Sequence, residues 1–237
     1  MVLAGRNKQI VLIGVAVAAV AVTTIGWWIS ARTSGTDRAM AELRNLPLVG
    51  LVMTDVPGID ARLRAAIEDE QRKPTQQGPS RTMLVIGELR KSYIAPALAA
   101  ADDASADAVM TARVELVRHL QQTDLPACRE FASTGIQHAD KLDAAGQRLV
   151  RNVLSTMEAA YRNGRTPGVQ PRPVASDQEF VAMLSDAGFT QIDFQKLGDS
   201  LKLSDAELCA LQLRIDTAPA RLAADKRGAF ARYVLTH

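Results

Sequence analysis

Cys128 and Cys209 are the only cysteines in the sequence, and His119 and His138 are the histidines nearest to Cys128. A cysteine beside a histidine base is the pattern of a thiol nucleophile, because the base removes the proton that keeps sulfur unreactive. Spacing fixes no such partnership here. Both histidines fall in stretches of helical periodicity, where a solvent-facing histidine is the ordinary reading, so no catalytic residue is assigned.

The cysteines themselves allow two readings. In an oxidising compartment an even pair far apart in sequence makes a disulfide, Cys128 to Cys209. Otherwise each is a small hydrophobe on a buried helix face. Metal chemistry finds no pattern, since there is no C-x-x-C, no H-E-x-x-H and no third ligand at a usable spacing. Asp103-x-Ser105-x-Asp107 imitates the start of a calcium loop but puts Ala108 and Val114 where glycine and glutamate are required. Glu68-Asp69-Glu70, followed by Arg72 and Lys73, reads as a solvated helix end. Glycine patterns for phosphate and the G-x-S-x-G elbow are both missing. The expectation is a chain without cofactor or metal.

The feature around which the chain is organised is apolar. Gln9 to Ala31 carries no charged residue, and the run from Ile10 to Ile29 is almost wholly hydrophobic. At ~1.5 Å per residue, roughly 20 helical residues cross a bilayer core of ~30 Å. Trp27 and Trp28, the only tryptophans, fall at the end of the run, where the headgroup region favours amphipathic rings. The segment therefore reads as a single-pass transmembrane signal anchor over residues 10–30, preceded by a basic tail at 1–9 and followed by a linker at 31–36. A cleaved signal peptide is the competing reading, supported by Arg6 and Lys8 and by Ile29-Ser30-Ala31. Against it stand the length of the run and the bulk of the tryptophan pair.

Lysine and arginine are nearly balanced across the span, so charge alone does not orient it. A short basic tail before one long domain is the form of an anchor with its N-terminus inside, which puts the domain on the periplasmic side of a bacterial inner membrane. Gly14, Ala18 and Ala21 share one face of the span at small-x-x-x-small spacing, a geometry for self-association that alanine-rich spans also produce by chance.

With Arg6 and Lys8 set aside, lysine plus arginine equals aspartate plus glutamate. A formally neutral domain lacks the clustered positive charge needed to bind nucleic acid. Apolar content of 47% with mixed charge is globular. Aromatic residues are uneven: between residues 32 and 130 only Tyr93 occurs, and seven follow from Phe131 to Tyr233. The compact core is accordingly expected in a C-terminal helical part, 126–237, with a thinner N-terminal helical part at 37–125.

Along the chain the expected fold class is all-α. Pro47 and Gly50 interrupt an apolar run from Leu46 to Met53, which reads as an extended loop packed on helices. Three stretches share a helix-opening pattern of capping residue and proline: Thr54 to Pro57, Thr123 to Pro126 and Asp216 to Pro219. Helices are expected from Ser80 to about Ala100, bent or ended by Pro96, from Asp102 or Asp103 to about Gln121, and from about His138 to Arg162. The Pro/Gly-rich stretch 164–175, with three prolines and two glycines, is an exposed loop. Capping boxes at Ser176/Glu179 and Ser204/Glu207 start two further helices. Phe189 to Leu197 is a short helix, and the last helix begins near Pro219.

An anchor plus a helical domain without catalytic signatures points to a non-enzymatic, membrane-tethered protein-interaction or assembly component of the bacterial envelope, with the bilayer and a protein as partners. The alternatives are an envelope enzyme whose site is assembled from scattered residues and a helical ligand-sensing domain. With so short a tail before the span, a sensor would lack a cytoplasmic output.

Overall fold

The computed structural model describes residues 35–74, 80–136 and 139–237. Among them every regular element is helical. The basic tail, the span at 10–30 with Trp27 and Trp28, most of the linker, and His138 lie outside the described residues. No described helix is long and apolar enough to cross a membrane.

The chain opens with α1 (Thr36–Asn45), α2 (Pro47–Asp55) and α3 (Ile59–Arg72). Helix α2 occupies the stretch expected to be an extended loop. Pro47 sits in its first turn, where a missing N–H costs nothing, so the proline starts the helix. Gly50 is there for contact: a Cβ at that position would collide with the Arg44 carbonyl at the end of α1. Leu48, Val49, Val52 and Met53 bury the inner face. Thr54 to Pro57 therefore closes one helix instead of opening the next, and α3 begins after Gly58, whose φ of +77° needs the freedom of glycine.

Ser80 caps α4 (Arg81–Leu89) by accepting the Met83 N–H at 3.2 Å. The helix continues through a π turn at Arg90–Ile94 into α5 (Ala95–Ala100). Pro96 explains the π turn, because it has no N–H for the carbonyl four residues back and its ring would press on that oxygen. The wider turn, with the Ala95 N–H bonded to the Arg90 carbonyl, makes the room. Pro96 thus does not end the helix, which runs on to Ala100.

Asp102 caps α6 (Asp103–Thr123), and Asp124 caps α7 (Leu125–Ser133), as their openings suggested. Helix α8 (Ala144–Gly164) starts six residues after the expected His138. A 3-10 turn at Ala139–Lys141 precedes it, and Asp143 sets its true beginning by accepting the Gly146 N–H at 2.6 Å. The apolar period had carried the expected helix back past that cap. At 21 residues α8 equals α6.

Both expected capping boxes are present, on α9 (Asp177–Asp186) and further along on α11 (Asp205–Thr217), and a third at Thr190/Asp193 opens α10 (Gln191–Gly198). The last helix, α12 (Ala224–Thr236), begins after a 3-10 turn at Ala218–Arg221. Pro219 lies in that turn, and Asp216 points inward instead of capping, which moves the helix start from its expected place.

Helix α6 is the axis of the bundle, packing against α7, α8, α11 and α12. Helix α8 carries the packing outward to α5 and to α2. The core is consequently one cluster through the described chain, in contrast to the thinner N-terminal part expected from aromatic placement. Met40, Leu43, Leu48 and Leu63 are as fully buried as Tyr161 and Phe230. Medium-sized aliphatic side chains fill the first half to the same effect that rings achieve in the second.

Candidate functional site

The residues with the greatest chemical potential meet where α6, α7 and α11 touch. Cys128 lies on α7 and Cys209 on α11, each fully buried. Their sulfurs are bonded in the structure, with Cα atoms 5.5 Å apart, inside the ~4.4–6.8 Å that a disulfide spans. Local sequence aligns the two helices. Asp124 takes the Ala127 N–H at 3.0 Å at the start of α7, while Ser204 and Glu207 fix the start of α11. Arg129, next to Cys128, donates to the Leu203 carbonyl at 2.6 Å and to Asp205 at 3.1 Å, holding the first turn of α11 against α7.

A bonded sulfur is not a nucleophile, so Cys128 is not placed for thiol chemistry. His119 faces elsewhere. Its Nε2 lies 2.8 Å from Asp143 Oδ1, joining the last turn of α6 to the cap of α8. Bonding to the Gly146 N–H, and then to His119, holds the Asp143 carboxyl below the usual range. Such a His–Asp pair resembles the base and its orienting acid in a hydrolase. The nearby Thr123 hydroxyl, however, donates to the His119 backbone carbonyl at 2.8 Å and is not directed at the ring.

Behind the disulfide sits a buried ion pair that sequence reasoning missed. Arg113 of α6 donates to Asp216 Oδ1 from Nε at 3.1 Å and Nη2 at 3.0 Å, and Gln212 adds a third donor at 3.0 Å. The guanidinium also stacks over Phe131, 4.9 Å from the ring centre. Burial pushes the Asp216 carboxyl above its ordinary range, against the pull of Arg113 and Gln212. With side chains 3% and 0% exposed, the pair is closed to solvent and to substrate. It acts on the packing of three helices. The signal available in sequence was an arginine in the middle of an apolar stripe, between Met110 and Leu116.

Four of the acidic motif residues, Asp69, Glu70, Asp102 and Asp103, are used at helix ends. Asp102 accepts the Ser105 N–H at 2.7 Å and forms a reciprocal pair with Asn163, both bonds at 2.8 Å. Asp103 pairs with the buried Arg232, which also donates to the Ala101 carbonyl at 3.2 Å. Asp69 pairs with Arg81, whose backbone N–H is accepted by Glu70 at 2.8 Å. Among the described residues no three His, Cys, Asp or Glu side chains converge as a metal-binding set. Comparison with protein-family models, curated proteins and solved structures returns no match.

Proposed function

We propose that the chain is a membrane-tethered helical domain, held on the periplasmic side of a bacterial inner membrane by residues 10–30, that works as a non-enzymatic interaction or assembly component. The observation that carries this reading is the pairing of an uncharged apolar run in the sequence with the buried Cys128–Cys209 bond. Such bonds persist in oxidising compartments and are rare in the cytosol. The partner half draws support from Ile192 and Leu201, which are 64% and 88% exposed. Arg129 holds the backbone next to Leu201 and so displays that side chain on a fixed turn.

Two measurements test this. Protease added to spheroplasts should digest the domain, and the mature chain should keep Met1; protection, or a mature N-terminus near Arg32, rejects the topology. Protein isolated with thiols blocked at lysis should contain no free thiol. Replacing either cysteine with serine should lower the melting temperature, since closing a loop across 81 residues is worth at most about 4–5 kcal/mol in the chain-entropy model. Two freely alkylated thiols in native protein would remove the bond and the export argument with it.

A further inference from the structure

The Pro/Gly-rich strap between α8 and α9 lies inside the loop that Cys128 and Cys209 close, so a break in the strap need not release the C-terminal helices. We propose that the bond from Val169 to Gln170 is a processing site for an endoprotease that accepts an aliphatic residue before the scissile bond, and that the product is a two-chain protein joined by Cys128 and Cys209. The second half rests on the oxidised cysteine pair of the proposed function.

The strap is the described stretch best suited to enter a protease cleft. Residues 165–176 form no helix; 165–168 and 170–173 are exposed, and Val169 is half-buried. Exposed connections with few backbone bonds are the preferred sites of nicking. Its N-terminal end is pinned. Asn163 is bonded to Asp102, and Gly164 packs so closely on Ala97 that a Cβ would collide with the Ala97 carbonyl. Arg165 therefore cannot be drawn out without unseating α8 from α5. Its far end is held by Arg232, which donates to the Pro173 carbonyl at 3.0 Å. In between, the Val169 N–H bonds to the Thr166 carbonyl at 3.2 Å, a contact local to the strap.

Sequence then selects the bond. Thr166, Gln170 and Arg172 each precede a proline, whose ring replaces the N–H of the scissile amide and fits common endoproteases poorly. Val169 is the aliphatic residue in the remaining free stretch. Hydrolysis adds one water: the C–N bond breaks, Val169 acquires a carboxylate and Gln170 an ammonium group. The halves stay docked through contacts that cross the cut, namely Cys128 with Cys209, Arg113 with Asp216, and Asp103 with Arg232.

The test is elastase treatment of the detergent-solubilised full-length protein under native conditions, read by mass with and without reductant beside a thiol titration. Within residues 128–209 the first bond opened should be Val169 to Gln170. The unreduced species should gain the mass of one water, reductant should release two fragments, and the helical circular dichroism should be retained. V169D should lose this cut and keep its melting temperature. An earlier cut elsewhere in that loop, or resistance of the loop while denatured chain is digested, overturns the site. Fragments that separate without reductant overturn the two-chain product. Free thiols in that sample then trace the failure to the oxidised pair and not to the processing site.

Discussion

Arg113 and Asp216 stand 103 positions apart in sequence and share one buried carboxylate oxygen, approached by Nε and Nη2 at 3.1 and 3.0 Å. The arrangement links the axial helix to α11 and, through the stacked Phe131, to α7. Desolvating two charges costs several kcal/mol, which their attraction offsets only while both are present.

Arg113→Met should therefore destabilise the domain by about 3–5 kcal/mol, because it strands the Asp216 carboxylate in the core. The double variant Arg113→Met, Asp216→Leu should be clearly more stable than that single variant, since an apolar pair of similar volume carries no uncompensated charge. Urea unfolding at neutral pH reads both. A single variant within about 1 kcal/mol of the parent would mean that water reaches Asp216 and the pair is not dry.

Five helix starts with side-chain caps were legible in the sequence because a cap is local chemistry: Ser80, Asp102, Asp124, Ser176 and Ser204 each accept an N–H three residues on, whereas the same signal at Asp143 and Thr190 was masked by the apolar period around it. Errors arose where a local signal had a tertiary use. Gly50 read as a helix breaker, yet it is the point where α2 meets the Arg44 carbonyl. Asp216 read as a cap, yet it is the partner of Arg113. The Pro96 π turn lay beyond a pattern built on a fixed helical period. The cysteines could be named as a pair from their number, whereas their 5.5 Å approach depends on how α7 and α11 cross, which no short motif encodes.

Gly164 and Gly87 make a matched test of tertiary against local effects. A Cβ at Gly164 would collide with the Ala97 carbonyl, while one at Gly87, inside α4, meets nothing within 4 Å. Gly164→Ala should cost about 1–3 kcal/mol, the usual penalty of overpacking between rigid backbones. Gly87→Ala should instead stabilise by roughly 0.5–1 kcal/mol, because alanine loses less backbone freedom in a helix. Thermal unfolding of both variants decides the matter. Shifts of equal sign would show that α5 and α8 do not meet as closely as the structure places them.

Acid should weaken the fold through its helix caps. Glu179 is held below the usual carboxylate range by the Ser176 N–H and then its hydroxyl, Glu207 by the Ser204 hydroxyl and then its N–H, and Asp102 by the Ser105 N–H. In each case the unfolded chain binds the proton more readily than the native one. Unfolding stability is thus fully present above the unfolded values, about 3.9 for Asp and 4.3 for Glu, and is lost as pH falls through the lower folded values. The double variant Glu179→Gln, Glu207→Gln keeps side chains that can bond the same N–H groups but cannot titrate. Relative to the parent it should be less stable at pH 7, where the carboxylates favour the helix N-termini. Its stability should also fall by less between pH 6 and pH 3, measured by urea unfolding at each pH. An identical fall in variant and parent would place the acid sensitivity outside these two capping boxes.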